Sequence, residues 1–260
     1  MAAVPFVKAS ACGNDFLIID FVYAPTDIHG FTRRICDRHN GVGADGVEWV
    51  LPASDADLRV RLMNADGSEA EISGNGTRCV AAWYCSQNDS RSVAIRTGAG
   101  LKRCDLLRRA GQYFDFRSSM GKPEVGEAFS IQFTYGEISG VPVSLGNPHF
   151  VVRVAEFELG WQAVAEQMSK HHDFKHGINI ELVRTGKENT IDVRFFERGV
   201  GETLSSGTGS CAAAVAAIHA WGLSSPVRVE APGGAQTVEW SSEVILTGPA
   251  TLLCAGEFFA

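Results

Sequence analysis

Two short glycine runs carry the clearest chemical signal in the sequence, Ser73-Gly74-Asn75-Gly76 and Ser206-Gly207-Thr208-Gly209. Each opens an apolar segment, Thr77–Ser86 in the first case and Ser210–Trp221 in the second. A glycine turn leading into a helix leaves several backbone N–H groups unpaired. Together with the helix dipole, these groups favour an anion. A small carboxylate is the natural ligand and phosphate is the alternative. Neither run ends in the Lys-Ser/Thr of a phosphate loop, and neither follows the G-x-G-x-x-G dinucleotide pattern. Taken singly, each run could also be no more than a helix start. Polar residues gather beside both: Asn64, Asp66 and Glu69 before the first, and Glu197, Arg198 and Glu202 before the second. A buried Arg next to a Glu could hold a zwitterion, guanidinium to carboxylate and carboxylate to ammonium. A salt bridge at a strand end is the plainer reading. His171, His172 and His176 lack partner Cys or Glu at metal-site spacing and read as a solvated face, so no metal is expected. Gly41–Gly46 reads as a turn between helix and strand, at a place where a substrate loop could lie.

The two runs lie 133 positions apart, and so do two other pairs. Gly13-Asn14 matches Gly146-Asn147, and Leu58–Met63 matches Ile191–Phe196. Three pairs in one order at one offset predict a duplicated unit, since the period is too long for a solenoid. The expected domains are 1–119 with a C-terminal strand at about 250–260, and 120–249. Strands are expected at Asp15–Phe21, Val47–Leu51, Leu58–Asn64, Val93–Thr97, Leu101–Arg108 and Gln112–Arg117 in the first half. Val227–Glu230, Gln236–Trp240 and Glu243–Thr247 are the strand candidates of the second. Phe31–Arg38 and Trp161–His171 have helical spacing. The run Cys211–Ile218 is apolar all round, so its helix must be buried on every side. The fold class is therefore α/β (α+β), with each half a mostly antiparallel curved sheet around one central helix.

Composition narrows the functional classes. The chain has 260 residues, 45% hydrophobic and 20% charged, which is ordinary for a globular protein. A net charge of −7 argues against nucleic acid as the partner. The longest apolar stretches fall short of a membrane span, and Met1–Lys8 does not read as a signal peptide. Seven cysteines, an odd number with no C-x-x-C pair, point to reduced thiols in a cytoplasm.

The residues around the glycine runs resemble the two signature motifs of the diaminopimelate epimerase family: Met63–Ala81, with its core Ser73-Gly-Asn-Gly-Thr77, and Phe196–Ala214, with Ser206-Gly-Thr-Gly-Ser210. Gly13–Phe16, Asp37–Gly46 and Gly146–His149 match in the expected order, so the resemblance spans essentially the whole chain. It implies two pseudo-symmetric domains, each a barrel-like sheet around a helix. It also implies inversion of one α-carbon of LL-diaminopimelate to the meso form, on the lysine and peptidoglycan pathway, with no cofactor. Such an inversion needs one group to remove the proton on one face and another to supply it on the opposite face. A pseudosymmetric cleft would place one in each half, with backbone N–H groups aimed where charge develops. The resemblance assigns substrate contacts to Asn14, Asn64, Asn147, Asn179, Glu197 and Arg198, and to the backbone at Gly74-Asn75 and Gly207-Thr208. It gives His149 and Glu197 supporting roles in the acid/base chemistry. Some members carry Gln where Gly46 stands. The partner is a small amino-acid substrate, and the pattern leaves room for a homodimer.

One departure is central. The family's acid/base pair is two cysteines, and both positions are serine here, Ser73 and Ser206. A thiol of pKa about 8.5 exchanges protons near neutrality, whereas a hydroxyl needs a strong neighbouring base. Cys79 and Cys211 lie inside the expected helices, where a small apolar role suits them. Three readings follow. The first is a nearly isosteric Cys-to-Ser form that binds substrate but is inactive or strongly impaired. The others are a relative whose serines run another racemisation or a dehydration, and a non-catalytic amino-acid binder.

Overall fold

The computed structural model describes residues 3–133 and 136–259. It divides into two compact units, Met1–Ser119 with Gly248–Ala260, and Met120–Thr247. The first contains β1 (Ala3–Ala11), β2 (Asn14–Asp20), α1 (Ile28–Cys36), β3 (Gly46–Leu51), β4 (Leu58–Asn64), β5 (Glu69–Ala70), α2 (Gly74–Gln87), β6 (Ser92–Thr97), β7 (Gly100–Ala110) and all but the last two residues of β8 (Tyr113–Gly121). The second contains β9 (Glu124–Val125), β10 (Phe129–Phe133), β11 (Gly136–Ser144), β12 (Pro148–Arg153), α3 (Trp161–Ser169), β13 (Asn179–Thr185), β14 (Thr190–Glu197), β15 (Gly201–Thr203), α4 (Gly207–Trp221), β16 (Val227–Ala231) and β17 (Gly234–Trp240). The last strand, β18 (Val244–Phe259), begins in the second unit and ends in the first.

In the first unit, neighbouring strands pair in the order β1, β2, β3, β4, β6, β7, β8, and β18 joins β8 back to β1. The circuit is closed, so no edge is left for aggregation. Pairing is antiparallel except at β2–β3 and β4–β6, where a helix crosses between parallel neighbours. Side chains alternate along each strand. On β2, Phe16 and Ile18 pack towards α2, whereas Leu17 and Ile19 pack towards α1. On β3, Val50 belongs to the α2 side, and Val47 and Trp49 to the α1 side. That alternation turns Glu48 inward, towards α2.

The second unit repeats the pattern. Its pairings run β11, β12, β13, β14, β16, β17, β18, again parallel only at β12–β13 and β14–β16. The core surrounds α4, whose residues Gly207–Ala217 are all buried. Alanine-rich sequence suits this place: small side chains let strands approach from every side. Gly222, at φ +76°, ends the helix in the left-handed conformation that glycine tolerates best. On β13, Val183 faces α4 while Ile180 and Leu182 face α3, so Glu181 points inward as Glu48 does.

The helix ends differ from the sequence-based expectation for local reasons. α1 starts at Ile28 rather than Phe31, because the Asp27 carboxylate accepts from Gly30 N at 2.8 Å. It stops at Cys36, where Asp37 turns its carboxylate to the amides of His39 and Asn40. α2 and α4 begin at the glycine runs themselves, since Ser73 and Ser206 act as N-caps.

Candidate active site

In the first unit the Ser73 hydroxyl oxygen accepts from Gly76 N at 3.1 Å. Asn75, buried one residue into the helix, accepts from the Arg78 guanidinium at 2.6 Å and reaches Asn14 Oδ1 with its Nδ2 at 3.5 Å. Arg78 is itself fully buried and donates to the carbonyls of Gly74 and Pro249. Asn14 donates to Asp45, which also accepts from Arg38 at 2.7 Å. Arg38 and Lys8 converge on Asp15 at 2.8 and 2.9 Å. Burial works to raise the Asp15 carboxyl, but the two cations outweigh it and hold it below the usual range. This network ties the Asp37–Asp45 loop to the strand that carries Asn14. Asn64 is half-buried and donates to Ser68 Oγ at 3.0 Å. At Gly46 a Cβ would lie 2.6 Å from the Met63 carbonyl, so the close approach of β4 requires glycine there.

The second unit has the same skeleton with other side chains. Ser206 accepts from Gly209 N at 3.2 Å and donates to Glu197 Oε2 at 3.3 Å. Thr203 donates to the other oxygen, Glu197 Oε1, at 2.8 Å. Burial raises the Glu197 carboxyl, the Thr203 bond lowers it, and the Glu181 charge raises it again; the net direction is up. Asn147 donates to Thr208 Oγ1 at 3.2 Å, the counterpart of the Asn75–Asn14 bond. His149 is buried between Glu181 Oε1, 2.7 Å from its Nδ1, and Asn147 Oδ1, 3.1 Å from its Nε2. Asn147 already donates through Nδ2, so its Oδ1 must accept and His149 Nε2 carries a proton. One further proton is then shared between Nδ1 and Glu181, and burial pushes the Glu181 carboxyl up.

Asn179 is buried, donating to Pro148 O and accepting from Arg198 N, both at 2.9 Å. Arg198 is exposed, which corrects the expectation of a buried guanidinium. Among the described residues its side chain bonds to the His176 carbonyl at 3.2 Å. Its stem lies over Gly177, which leaves the charged end in solvent. Glu202 and Glu69 are engaged elsewhere, by Gln162 and Arg61. His171, His172 and Asp173 bring ligand atoms within 4.8 Å of one another, but His171 already faces the Gln132 carbonyl at 2.9 Å. Cys79 and Cys211 are fully buried in their helices, and burial holds the Cys79 thiol well above its usual range, a core role.

Sequence reasoning passed over Glu48 and Glu181. Each lies behind the first turn of its central helix. A Cβ on Gly76 would collide with Glu48 Oε1, and one on Gly209 would lie 2.8 Å from Glu181 Oε1. The second glycine of each run is thus fixed by a carboxyl group beneath it. The signal was present, because Glu48 and Glu181 stand 133 positions apart like the runs themselves. Burial alone pushes Glu48 up to about 8. Neither of its oxygens has a hydrogen-bond partner among the described residues.

The sequence profile of the family described as diaminopimelate epimerase matches residues 6–125 and 141–253. The chain is 34% identical to the diaminopimelate epimerase of Pelotomaculum thermopropionicum, over 97% of this chain and 98% of that one. It is 36% identical to that of Corynebacterium glutamicum, over 98% of each. Two solved structures share the fold at 17% identity. A hydroxyproline epimerase from Agrobacterium vitis, with bound trans-4-hydroxy-L-proline, superposes with a TM-score of 0.79 over 98% of this chain and 92% of that one. A phenazine biosynthesis protein of the PhzF family from Bacillus anthracis does so with a TM-score of 0.76 over 100% of both.

Proposed function

We infer that this chain, which belongs to the diaminopimelate epimerase family, is a cofactor-independent amino-acid epimerase that converts LL-diaminopimelate to the meso form. The observation that carries this reading is the repeated helix start. In both units a serine at the family's acid/base position caps a buried helix, and the amide of an asparagine at the start of a strand (Asn14) or just before one (Asn147) bonds to the helix's second residue. In this reading the backbone N–H groups at Gly74-Asn75 and at Gly207-Thr208 are each donors for a substrate carboxylate. Charge that develops on the carboxylate as the α-proton leaves is stabilised there. Asn14, Asn64, Asn147 and Asn179 contribute polar contacts in this reading, and the Arg198 guanidinium is its group for the distal carboxylate. Ser73 and Ser206 stand where one proton must leave and another arrive. Glu197 acts on Ser206 directly; His149 acts one step removed, by orienting Asn147.

Serine makes the chain a slow epimerase. A hydroxyl gives up its proton far less readily than a thiol, so turnover is strongly impaired relative to a cysteine form. Calorimetry with LL-diaminopimelate, meso-diaminopimelate, lysine and proline tests the assignment. Binding of both diaminopimelate isomers with no heat from lysine or proline is the expected result. Equal binding of lysine would remove the distal carboxylate from the account, and no binding of either isomer would end it. The reading includes a cytoplasmic location and a homodimer, for which the exposed Leu107, Tyr113, Leu253 and Phe259 of the first unit offer apolar surface. A monomer in sedimentation would remove the dimer.

A further inference from the structure

We propose that Glu48 is the proton acceptor behind Ser73, so that each half of this epimerase works through a serine–carboxylate couple, Ser73 with Glu48 and Ser206 with Glu197. The proposal rests on the epimerase reading and deepens it.

Two groups flank Gly76 in the first turn of α2. Among the described residues the Ser73 hydroxyl accepts from Gly76 N, and its own proton has no acceptor. The Glu48 carboxyl, only 1% exposed, has no donor. Gly76 lies between them: a Cβ on it would collide with Glu48 Oε1 and lie 3.2 Å from Ser73 Cβ. Ser73 is half-buried, but a fully buried carboxyl group without a partner is rare enough in folded proteins to need an explanation. The second half shows a serine cap already paired with a carboxylate: Ser206 donates to the half-buried Glu197, which stands at the position of Asn64.

A strand slot that could hold a leucine instead holds an acid. One oxygen of its counterpart Glu181 bonds to His149, but the residue 133 positions before His149 is Phe16, which offers no hydrogen bond. Arg78 and Cys79 on α2, Cys12 on the β1–β2 turn and Asp15 on β2 are the charged and titratable groups around this interior. Burial pushes Glu48 up to about 8, towards the range where a general acid or base is most effective.

The step balances without an alkoxide. As Ser73 Oγ takes the α-proton, its own proton passes to a Glu48 oxygen that has turned from Gly76 towards the hydroxyl. The Cα–H bond and the original Ser73 O–H bond break; a new Ser73 O–H bond and a Glu48 O–H bond form. The Cα–H electron pair stays on the substrate and spreads into its carboxylate. On the other face a protonated Glu197 passes its proton to Ser206 as Ser206 protonates the α-carbon. The reverse reaction exchanges the two roles. The effective bases are carboxylates, and the serines conduct.

The test is α-proton exchange of LL-diaminopimelate in deuterated water from pH 6 to 10, with binding followed by calorimetry. The unaltered chain should exchange slowly, with a rate that rises through about pH 8. Glu48→Gln should bind equally well, exchange about 100-fold more slowly and lose that rise. Glu48→Leu should behave the same, and serves if the Gln variant folds poorly. In a Ser73→Cys chain, whose thiol is its own base, Glu48→Gln should cost little. A purely structural Glu48 would cost both chains alike. The relay is overturned if the Glu48 variants exchange at the parent rate, if the loss persists undiminished beside Cys, or if the unaltered chain binds LL-diaminopimelate without exchanging it. A chain that binds no diaminopimelate overturns the epimerase reading, and the relay with it.

Discussion

Glu181 on β13 and Glu48 on β3 occupy the same place in a repeated scaffold, yet one has a partner and the other does not. The difference begins at one residue of the neighbouring strand, His149 on β12 against Phe16 on β2. It continues around the helix starts: Glu197 against Asn64, Thr208 against Asn75, and Cys211 against Arg78. Duplication has kept the backbone positions, the serine caps and the glycines that make room for the inward carboxyl groups. The side chains that settle protons have diverged. A two-base inversion needs the same geometry twice, but it does not need the same proton inventory twice.

The largest effect expected from this contrast is on stability. Glu181→Leu strips His149 of its buried partner and should cost about 3–5 kcal/mol in denaturant unfolding. Glu48→Leu leaves nothing unpaired and should be neutral or stabilising by up to about 4 kcal/mol at pH 9. Equal losses in both would show that Glu48 has a partner after all.

The next effect is pH-dependent. Glu48 holds its proton more tightly folded than unfolded. The folded state therefore binds more protons between about 4.5, the ordinary value, and about 8. Stability should be fully present below that window and decline as pH rises through it, by on the order of 3–5 kcal/mol in total. Glu48→Gln should remove this decline, which unfolding midpoints at pH 5, 7 and 9 would reveal. An unchanged slope would place the titration elsewhere.

The glycines extend the comparison. Gly76→Ala drives a Cβ into Glu48 and should cost about 1–3 kcal/mol, most of it recovered when Glu48→Ala is added. Gly209→Ala should recover less beside Glu181→Ala, because Phe195 Cδ1 also stands 2.8 Å from the new Cβ.

Much of this architecture was legible in the residues. The 133-residue offset marked both serine caps, both central helices and the strands that precede them. The inward carboxyl groups were not legible, although they share the offset. A single Glu within Val47–Leu51 breaks no strand pattern, and inwardness depends on which face the sheet closes over. The loop network was hidden for a related reason: Asp45 orients Asn14 through contacts across 31 positions, and no local spacing signals such a bond. The start of α1 was missed because apolar periodicity begins at Phe31, whereas the helix begins where Asp27 caps it. Arg198 looked buried beside Glu197, but it lies in the turn just past the end of β14, where its side chain reaches the His176 carbonyl at the surface.

A smaller effect belongs to Thr203. Its bond lowers the Glu197 carboxyl against burial. Thr203→Val should raise that carboxyl further, seen as an upward shift of the Glu197 13C titration midpoint, at a stability cost of about 1 kcal/mol. Thr203→Ser should restore it. No shift in the Val variant would detach Thr203 from the Ser206 couple.

The central claim is that this chain is an epimerase scaffold whose two serines stand where protons enter and leave. Its most direct test is conversion of LL-diaminopimelate by the Ser73→Cys, Ser206→Cys double variant in deuterated water. The account predicts meso-diaminopimelate carrying deuterium at the inverted carbon, formed about a thousandfold faster than by the serine chain. A double variant that binds the substrate yet neither inverts nor exchanges it would contradict the account.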